Sequence, residues 1–283
     1  VRILSILALL SGLALAQQTG LIPTPDVDLA YFVYGAASSA TPVICANGGP
    51  GLSHIYMIQN DVWTRVSQSR QVVFYDQRGT GKSMRLSPSA SQDIDAQVAD
   101  LEAVRAKFGF SKFALVGDSY GGFLAMAYAS AHPEHIEKLI LSDSAAPAMK
   151  NIVRVLNQVF PDMPRVTDPQ EQLRNHFRML FYSEEKRDAY LAQAKDLEYS
   201  PQVASAVSRA ISKVDLTPNL PNLHFPTMVI TGRYDMNVAP LTAWNIYKAI
   251  PGAKFVAFAK SGHLPSYEEP DKYVEVVNNF LSR

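Results

Sequence analysis

Among the 283 residues there is one cysteine, Cys45, so no disulfide can form within the chain whatever its redox surroundings. Neither sign of charge is in excess. The 26 Lys and Arg residues are matched by 26 Asp and Glu, which argues against a polyanionic partner such as nucleic acid. Basic stripes, internal repeats and low-complexity runs are lacking, and no apolar run is long enough for a stable membrane span. Tryptophan is limited to Trp63 and Trp244. What is present is an apolar share of 47% and enough length to bury a large core, as in one ordinary globular domain.

The first residues carry a different signal. Arg2, an apolar run from Ile3 to Leu15, and Ala14-Leu15-Ala16 before Gln17 have the layout of a secretory signal with a small-residue cleavage site. This predicts a cleaved leader over 1–16 and a secreted or periplasmic protein. Strand and helix patterns then alternate from a strand at Leu29 to Tyr34 through a last helix at Asp271 to Leu281, predicting an α/β fold with a mostly parallel sheet covered by helices on both faces. Between Ala148 and Asn222 the pattern turns helical and polar, broken by Pro161, Pro164, Pro169, Pro218 and Pro221. It predicts a helical cap over 148–222, inserted between core segments 17–147 and 223–283.

Chemistry concentrates in Gly117-Asp118-Ser119-Tyr120-Gly121, a Gly-x-Ser-x-Gly pentapeptide. Lys112 to Val116 before it reads as a buried strand, and Phe123, Leu124, Met126 and Ala127 after it continue as a helix stripe. A serine at such a junction sits on a tight turn. Glycines flank it because a side chain at either position would collide with the neighbouring strand or helix.

A serine hydroxyl is a poor nucleophile at neutral pH, so it needs an imidazole to take its proton and a carboxylate to orient that imidazole. Ser before Asp before His is the order α/β-hydrolases use. Pro226 to Thr231 reads as a strand followed by Gly232-Arg233-Tyr234-Asp235, and Lys254 to Phe258 as the last strand, followed by Ser261-Gly262-His263. Asp235 is the candidate acid and His263 the candidate base. Asp143, after the strand Lys138 to Leu141, is the rival acid. Of the other histidines, His132 and His135 flank Pro133 as a solvated helix end, and His176 lies among polar residues of a helix.

An oxyanion also needs donors. The backbone N–H of Tyr120, directly after the serine, is one, and a glycine-rich loop after an earlier strand supplies the second. Thr41 to Ala46 is that strand, running into Asn47-Gly48-Gly49-Pro50-Gly51. Gly49 is the chosen donor, with Gly48 the alternative. Gly81-Lys82-Ser83 looks like the end of a phosphate-binding loop, but Asp76 stands where that motif requires glycine and no helix pattern starts at Ser83. A tight turn braced by Asp76 and Arg78 is the better reading.

Taken in order, Asn47 to Gly51, Asp76-Gln77-Arg78-Gly79-Thr80-Gly81-Lys82-Ser83, Gly117 to Gly122 and Gly232 to Asp235 resemble successive motifs of the proline iminopeptidase family of α/β-hydrolases. The resemblance runs from about Asp28 to the end and weakens between Met149 and Asn222. It implies a nucleophile at Ser119, an acid at Asp235, a base at His263, and release of an amino-terminal residue, often proline, from short peptides, without metal or organic cofactor. Two positions depart from the pattern. Asn47 stands where the family has histidine, although an amide can still hold the loop. The tryptophan-glutamate pattern with which the family's cap binds a substrate ammonium is missing, leaving Glu184, Glu185 and Glu198 as the candidate replacements. The main alternative is a carboxylesterase or lactonase acting on small esters. A non-catalytic binding protein on the same scaffold would have little need of Ser119, Asp235 and His263 together.

Overall fold

The computed structural model describes residues 16, 18–84, 86–87, 89–152, 155–159, 166–194 and 197–283. The expected leader, apart from Ala16, lies outside them, as do Pro161 and Pro164. Eight strands form one sheet: β1 (Gln18–Pro23), β2 (Asp28–Tyr34), β3 (Val43–Ala46), β4 (Val72–Tyr75), β5 (Phe113–Asp118), β6 (Ile136–Ser142), β7 (Thr227–Gly232) and β8 (Lys254–Phe258). Their spatial order is β1-β2-β4-β3-β5-β6-β7-β8. β2 runs antiparallel to both β1 and β4, and β4, β3, β5, β6, β7 and β8 are mutually parallel.

Central strands buried on both faces should read as unbroken apolar runs, and Val43-Ile44-Cys45 and Phe113-Ala114-Leu115-Val116 do. Cys45 is accordingly a buried, unpaired thiol. β1 departs from the expectation, which began the sheet at Leu29. It is an edge strand with most of its residues exposed, so it has no apolar alternation to betray it. Its order comes from pairing with β2, from Gln18 opposite Val33 to Pro23 opposite Asp28.

Helices cover both faces. α1 (Val62–Val66) and α10 (Pro270–Leu281) bury Trp63 and Val277 with Phe74 on one side, and α2 (Ile94–Lys107), α3 (Tyr120–Ala131) and α8 (Pro240–Ala249) bury Leu101, Phe123 and Ile246 on the other. Burial of each such side chain contributes roughly 1.5–3 kcal/mol. α2 starts where Asp93 accepts the Ala96 N–H at 2.9 Å, satisfying a donor that the first turn leaves free. A short helix, α9 (Pro265–Glu268), precedes α10.

Between β6 and β7 the chain makes α4 (Leu156–Val159), α5 (Pro169–Arg178), α6 (Glu184–Gln193) and α7 (Pro201–Ile211). Pro169 and Pro201 open helices, at the position where a missing N–H costs nothing, behind the capping residues Asp168 and Ser200. α7 buries Val203, Val207 and Ile211, spaced one turn apart, against the same face as α2. α5 and α6 join the other face through Leu173, Phe177 and Tyr190, the last two rings stacked at 5.5 Å. Among the described residues no helix is long and apolar enough to cross a membrane.

Candidate active site

Chain order reverses beside β3: β4 lies on one side of it and β5 on the other, so the loops leaving β3 and β5 open a crevice at their carboxyl ends. Ser119 sits there, between β5 and α3, with φ 53° and ψ −117°. A non-glycine residue at positive φ is strained, and here the strain presents the hydroxyl on a sharp elbow. The flanking glycines are required as expected. A Cβ at Gly117 would run into Gly121 O and Ala125, and one at Gly121 into Ala46 O of β3.

The loops after β7 and β8 bring the expected partners to the serine. His263 Nε2 is 3.0 Å from Ser119 Oγ, and its Nδ1 is 2.6 Å from Asp235 Oδ2. The other oxygen of Asp235 accepts the N–H groups of Asn237 at 2.9 Å and Val238 at 2.8 Å, which fixes the carboxylate plane. Asp143 lies close by but faces other work. Its Oδ1 accepts Gly232 N–H at 2.8 Å and its Oδ2 accepts the Ser142 hydroxyl at 3.1 Å. Burial, and then the neighbouring Asp235, push the Asp143 carboxyl well above the usual range and favour its neutral form.

Of the two candidate oxyanion donors in the loop after β3, Gly48 is already engaged: its N–H donates to the Tyr56 hydroxyl at 2.6 Å. Gly49 borders the cavity, and neither its N–H nor that of Tyr120 donates to an acceptor among the described residues. Asn47 does what an amide can do in place of histidine. Its Nδ2 donates to Leu52 O at 2.8 Å, closing the loop, while Gln77 Nε2 donates to Asn47 O at 2.7 Å. The Asp76 to Ser83 segment is the expected braced turn. Asp76 Oδ2 accepts Lys82 N–H at 2.8 Å, and Arg78 holds Asp100 through two bonds of 2.6 and 2.7 Å.

The serine and histidine open into a cavity of about 370 Å³. Leu52, Leu173, Phe177, Leu180 and Leu264 give it an apolar wall, so helices of the β6–β7 insertion form one side. None of the candidate glutamates lines it. Glu184 and Glu185 are exposed in the first turn of α6, where Glu184 lies 3.7 Å from Arg187. Glu198 is also exposed, and contributes its backbone instead: its carbonyl accepts Ser53 N–H at 3.2 Å, beside a Ser200 N–H to Gly51 O bond of 2.8 Å. Early helix turns attract acids for their favourable dipole, which makes such residues poor indicators of a ligand. His176, read from the sequence only as lying among polar residues of a helix, lines the cavity half-buried.

The cavity's carboxylate is Asp118, only 5% exposed. Its Oδ2 accepts a short hydrogen bond from the Tyr56 hydroxyl. Burial raises this carboxyl to about 6, against the opposing pull of His263 and Tyr56.

Sequence reasoning also missed what holds the base. Glu268, fully buried, accepts Gly262 N–H at 2.6 Å with one oxygen and the N–H groups of Tyr182 and Ser183 at 2.9 and 2.8 Å with the other. Glu269 accepts Lys260 N–H and the Ser261 hydroxyl, each at 2.8 Å, and His263 N–H donates to Leu180 O at 2.7 Å. Two adjacent acids after a Gly-His pair give no signal by themselves, since such pairs are usually solvated.

The sequence signature described as the alpha/beta hydrolase fold matches residues 41–270. The chain belongs to this family. The hydrolase is 29% identical over 284 residues to a proline iminopeptidase of Saccharolobus solfataricus, covering 91% of this chain and 90% of that one. It is 28% identical to a proline iminopeptidase of Lactobacillus delbrueckii subsp. bulgaricus, covering 88% and 92%. Among solved structures, the esterase RhEst1 from Rhodococcus sp. ECU1013 superposes with a TM-score of 0.77 at 22% identity, over 94% of this hydrolase and 98% of that chain. At that identity the likeness speaks for the fold alone.

Proposed function

We propose that the protein is a serine hydrolase working through an acyl-enzyme, with Ser119 as nucleophile, His263 as base and Asp235 as the acid that orients it. The single observation carrying this reading is the unbroken chain of contacts from Ser119 Oγ through His263 to Asp235, at 3.0 and 2.6 Å, at the mouth of a cavity. As Ser119 attacks a carbonyl, His263 Nε2 takes its proton, and Asp235 stabilises the imidazolium. The N–H groups of Gly49 and Tyr120 receive the oxyanion. His263 then returns the proton to the leaving group, and water releases the acyl group by the same steps.

The substrate reading is an aminopeptidase of the proline iminopeptidase type, releasing an amino-terminal residue from short peptides. Similarity to two enzymes of that name over about nine-tenths of the chain supports it. A second reading, a carboxylesterase on small esters, is favoured by the apolar cavity wall and by the absence from that wall of the three candidate glutamates. Residues 148–222 act in either case as a cap over the site. Export to the periplasm or outside the cell is supported by the apolar run over 3–15. Parallel hydrolysis of proline arylamide, other aminoacyl arylamides and short-chain nitrophenyl esters decides between the readings. Arylamide turnover expresses the peptidase, and ester turnover alone gives the function to the esterase.

A further inference from the structure

An acylating hydrolase that accepts a free amino terminus has to place a positive charge inside a largely apolar cavity. Leaving that charge unpaired would cost several kcal/mol, so the wall must answer it. The glutamates read from the sequence are not in the wall. Asp118 is, and it is the one Asp or Glu among the described lining residues.

Three features suit it to the task. No Lys or Arg is ion-paired with it among the described residues, and the groups that act on it are His263, Tyr56 and Asp235. Its orientation is held from outside: Tyr56 donates to Oδ2 and in turn accepts Gly48 N–H at 2.6 Å, which ties the carboxylate to the loop that carries Gly49. It also precedes Ser119 directly, and consecutive Cα atoms lie about 3.8 Å apart. A cation held there therefore belongs to a group close to the carbonyl under attack, as the α-amino group of an aminoacyl substrate is.

We propose that Asp118 is the anchor for the α-ammonium of an aminoacyl substrate, with Tyr56 as its positioning residue. The proposal rests on the hydrolase reading of Ser119, His263 and Asp235, and it specifies the acyl group rather than the leaving group. An amide or an ester would be recognised alike, provided that its amine is free. A buried carboxylate costs the empty protein stability, and a substrate ammonium recovers that cost on binding.

The test uses methyl esters and arylamides of proline and leucine, each with a free amine and as the N-acetyl derivative. The wild-type protein should prefer the free amine in kcat/KM by at least about tenfold, expressed mainly in KM, because truncating one partner of a buried charge pair costs about that or more. Asp118→Asn, which keeps the shape and removes the charge, should reduce that ratio about tenfold, whatever happens to the absolute rates. The ratio in the wild type should also fall as the pH drops below about 6, where Asp118 takes up a proton. His263, Asp235, Asp143, Tyr56, Tyr190, Tyr273 and Cys45 also lie near Asp118, and His176 lines the cavity; a change of charge on a neighbour would act on the cationic member of each pair alone, so the pH course of the wild type is read against that of Asp118→Asn. If that variant does not fold, Asp118→Ser put through the same substrate pairs decides the matter in its place. No preference for the free amine, or a preference that survives in folded Asp118→Asn, overturns the proposal. Hydrolysis of free-amine esters with the expected loss in the variant, but none of arylamides, supports the anchor while overturning the peptidase reading.

Discussion

Glu268 accepts the N–H of Gly262, the residue before the catalytic-base candidate, and the same carboxylate holds Tyr182 and Ser183 of the β6–β7 insertion. Three N–H donors thus converge on one buried side chain. Glu268→Gln offers them a single acceptor oxygen and an N–H₂ group that faces a donor, so at least one N–H is left unsatisfied. The expected loss is about 1–3 kcal/mol of stability, with kcat falling more than KM rises because the His263 loop is displaced. Thermal unfolding and steady-state kinetics measure both, and an unchanged kcat would mean that the clamp does not position the base.

Ser119→Ala should lower turnover by several orders of magnitude with little change in fold, since the elbow is set by its flanking glycines and not by the hydroxyl. A fluorophosphonate should label Ser119 in a mass spectrum of the digested protein. Turnover like that of the wild type from a clean preparation would remove Ser119 from the mechanism.

Asp235→Asn should reduce kcat about 10⁴-fold, because an amide leaves the imidazole in the wrong tautomer. Asp143→Asn should do far less, because burial already favours the neutral form of that carboxyl and its Gly232 and Ser142 contacts can persist. Kinetics of the two variants side by side decide the matter, and the reverse ranking would make Asp143 the acid.

Asp118 ties stability to pH with a definite sign. Its folded value of about 6 lies above the ordinary 3.8, so folding favours the protonated form. The stability associated with that form is fully present below about pH 4 and is lost as pH rises through 6. About two units correspond to about 3 kcal/mol. Asp118→Asn should therefore unfold at a higher temperature than the wild type at pH 8 and at nearly the same temperature near pH 4. Thermal scans at both values check this, and a lower Tm for the variant at pH 8 would contradict the burial cost.

Much of the framework was legible in the sequence because its constraints are local. Gly117, Ser119 and Gly121 declare the elbow, and Asp235 and His263 declare themselves by each following a strand-like run, the buried β7 and the edge strand β8. The expected last helix, Asp271 to Leu281, lies within one residue of its observed bounds, Pro270–Leu281. Tertiary pairing was not legible. β1 has no periodicity of its own, and Glu268 looks like any acid of a short helix until the chain brings Gly262 and Tyr182 to it. The cavity wall was misread for the same reason. Glu184 and Glu185 carry the right charge, but which way a helix turns its first residues depends on partners far away in sequence, here Tyr56 and Tyr267, against which Tyr190 of the same helix is held.

The insertion meets the catalytic loops through main-chain atoms: Leu180 O holds His263 N–H, Glu198 O holds Ser53 N–H, and Ser200 N–H holds Gly51 O. The serine belongs to the sheet, whereas the candidate base and the loop that carries Gly49 are each fastened to the segment proposed to roof them. Roof and machinery therefore share one alignment. A substrate too bulky for the roof as it stands would not simply wait outside; in lifting it, the substrate would draw the imidazole away from the hydroxyl it has to deprotonate. Size discrimination is in this way felt in the rate of the chemical step as well as in binding.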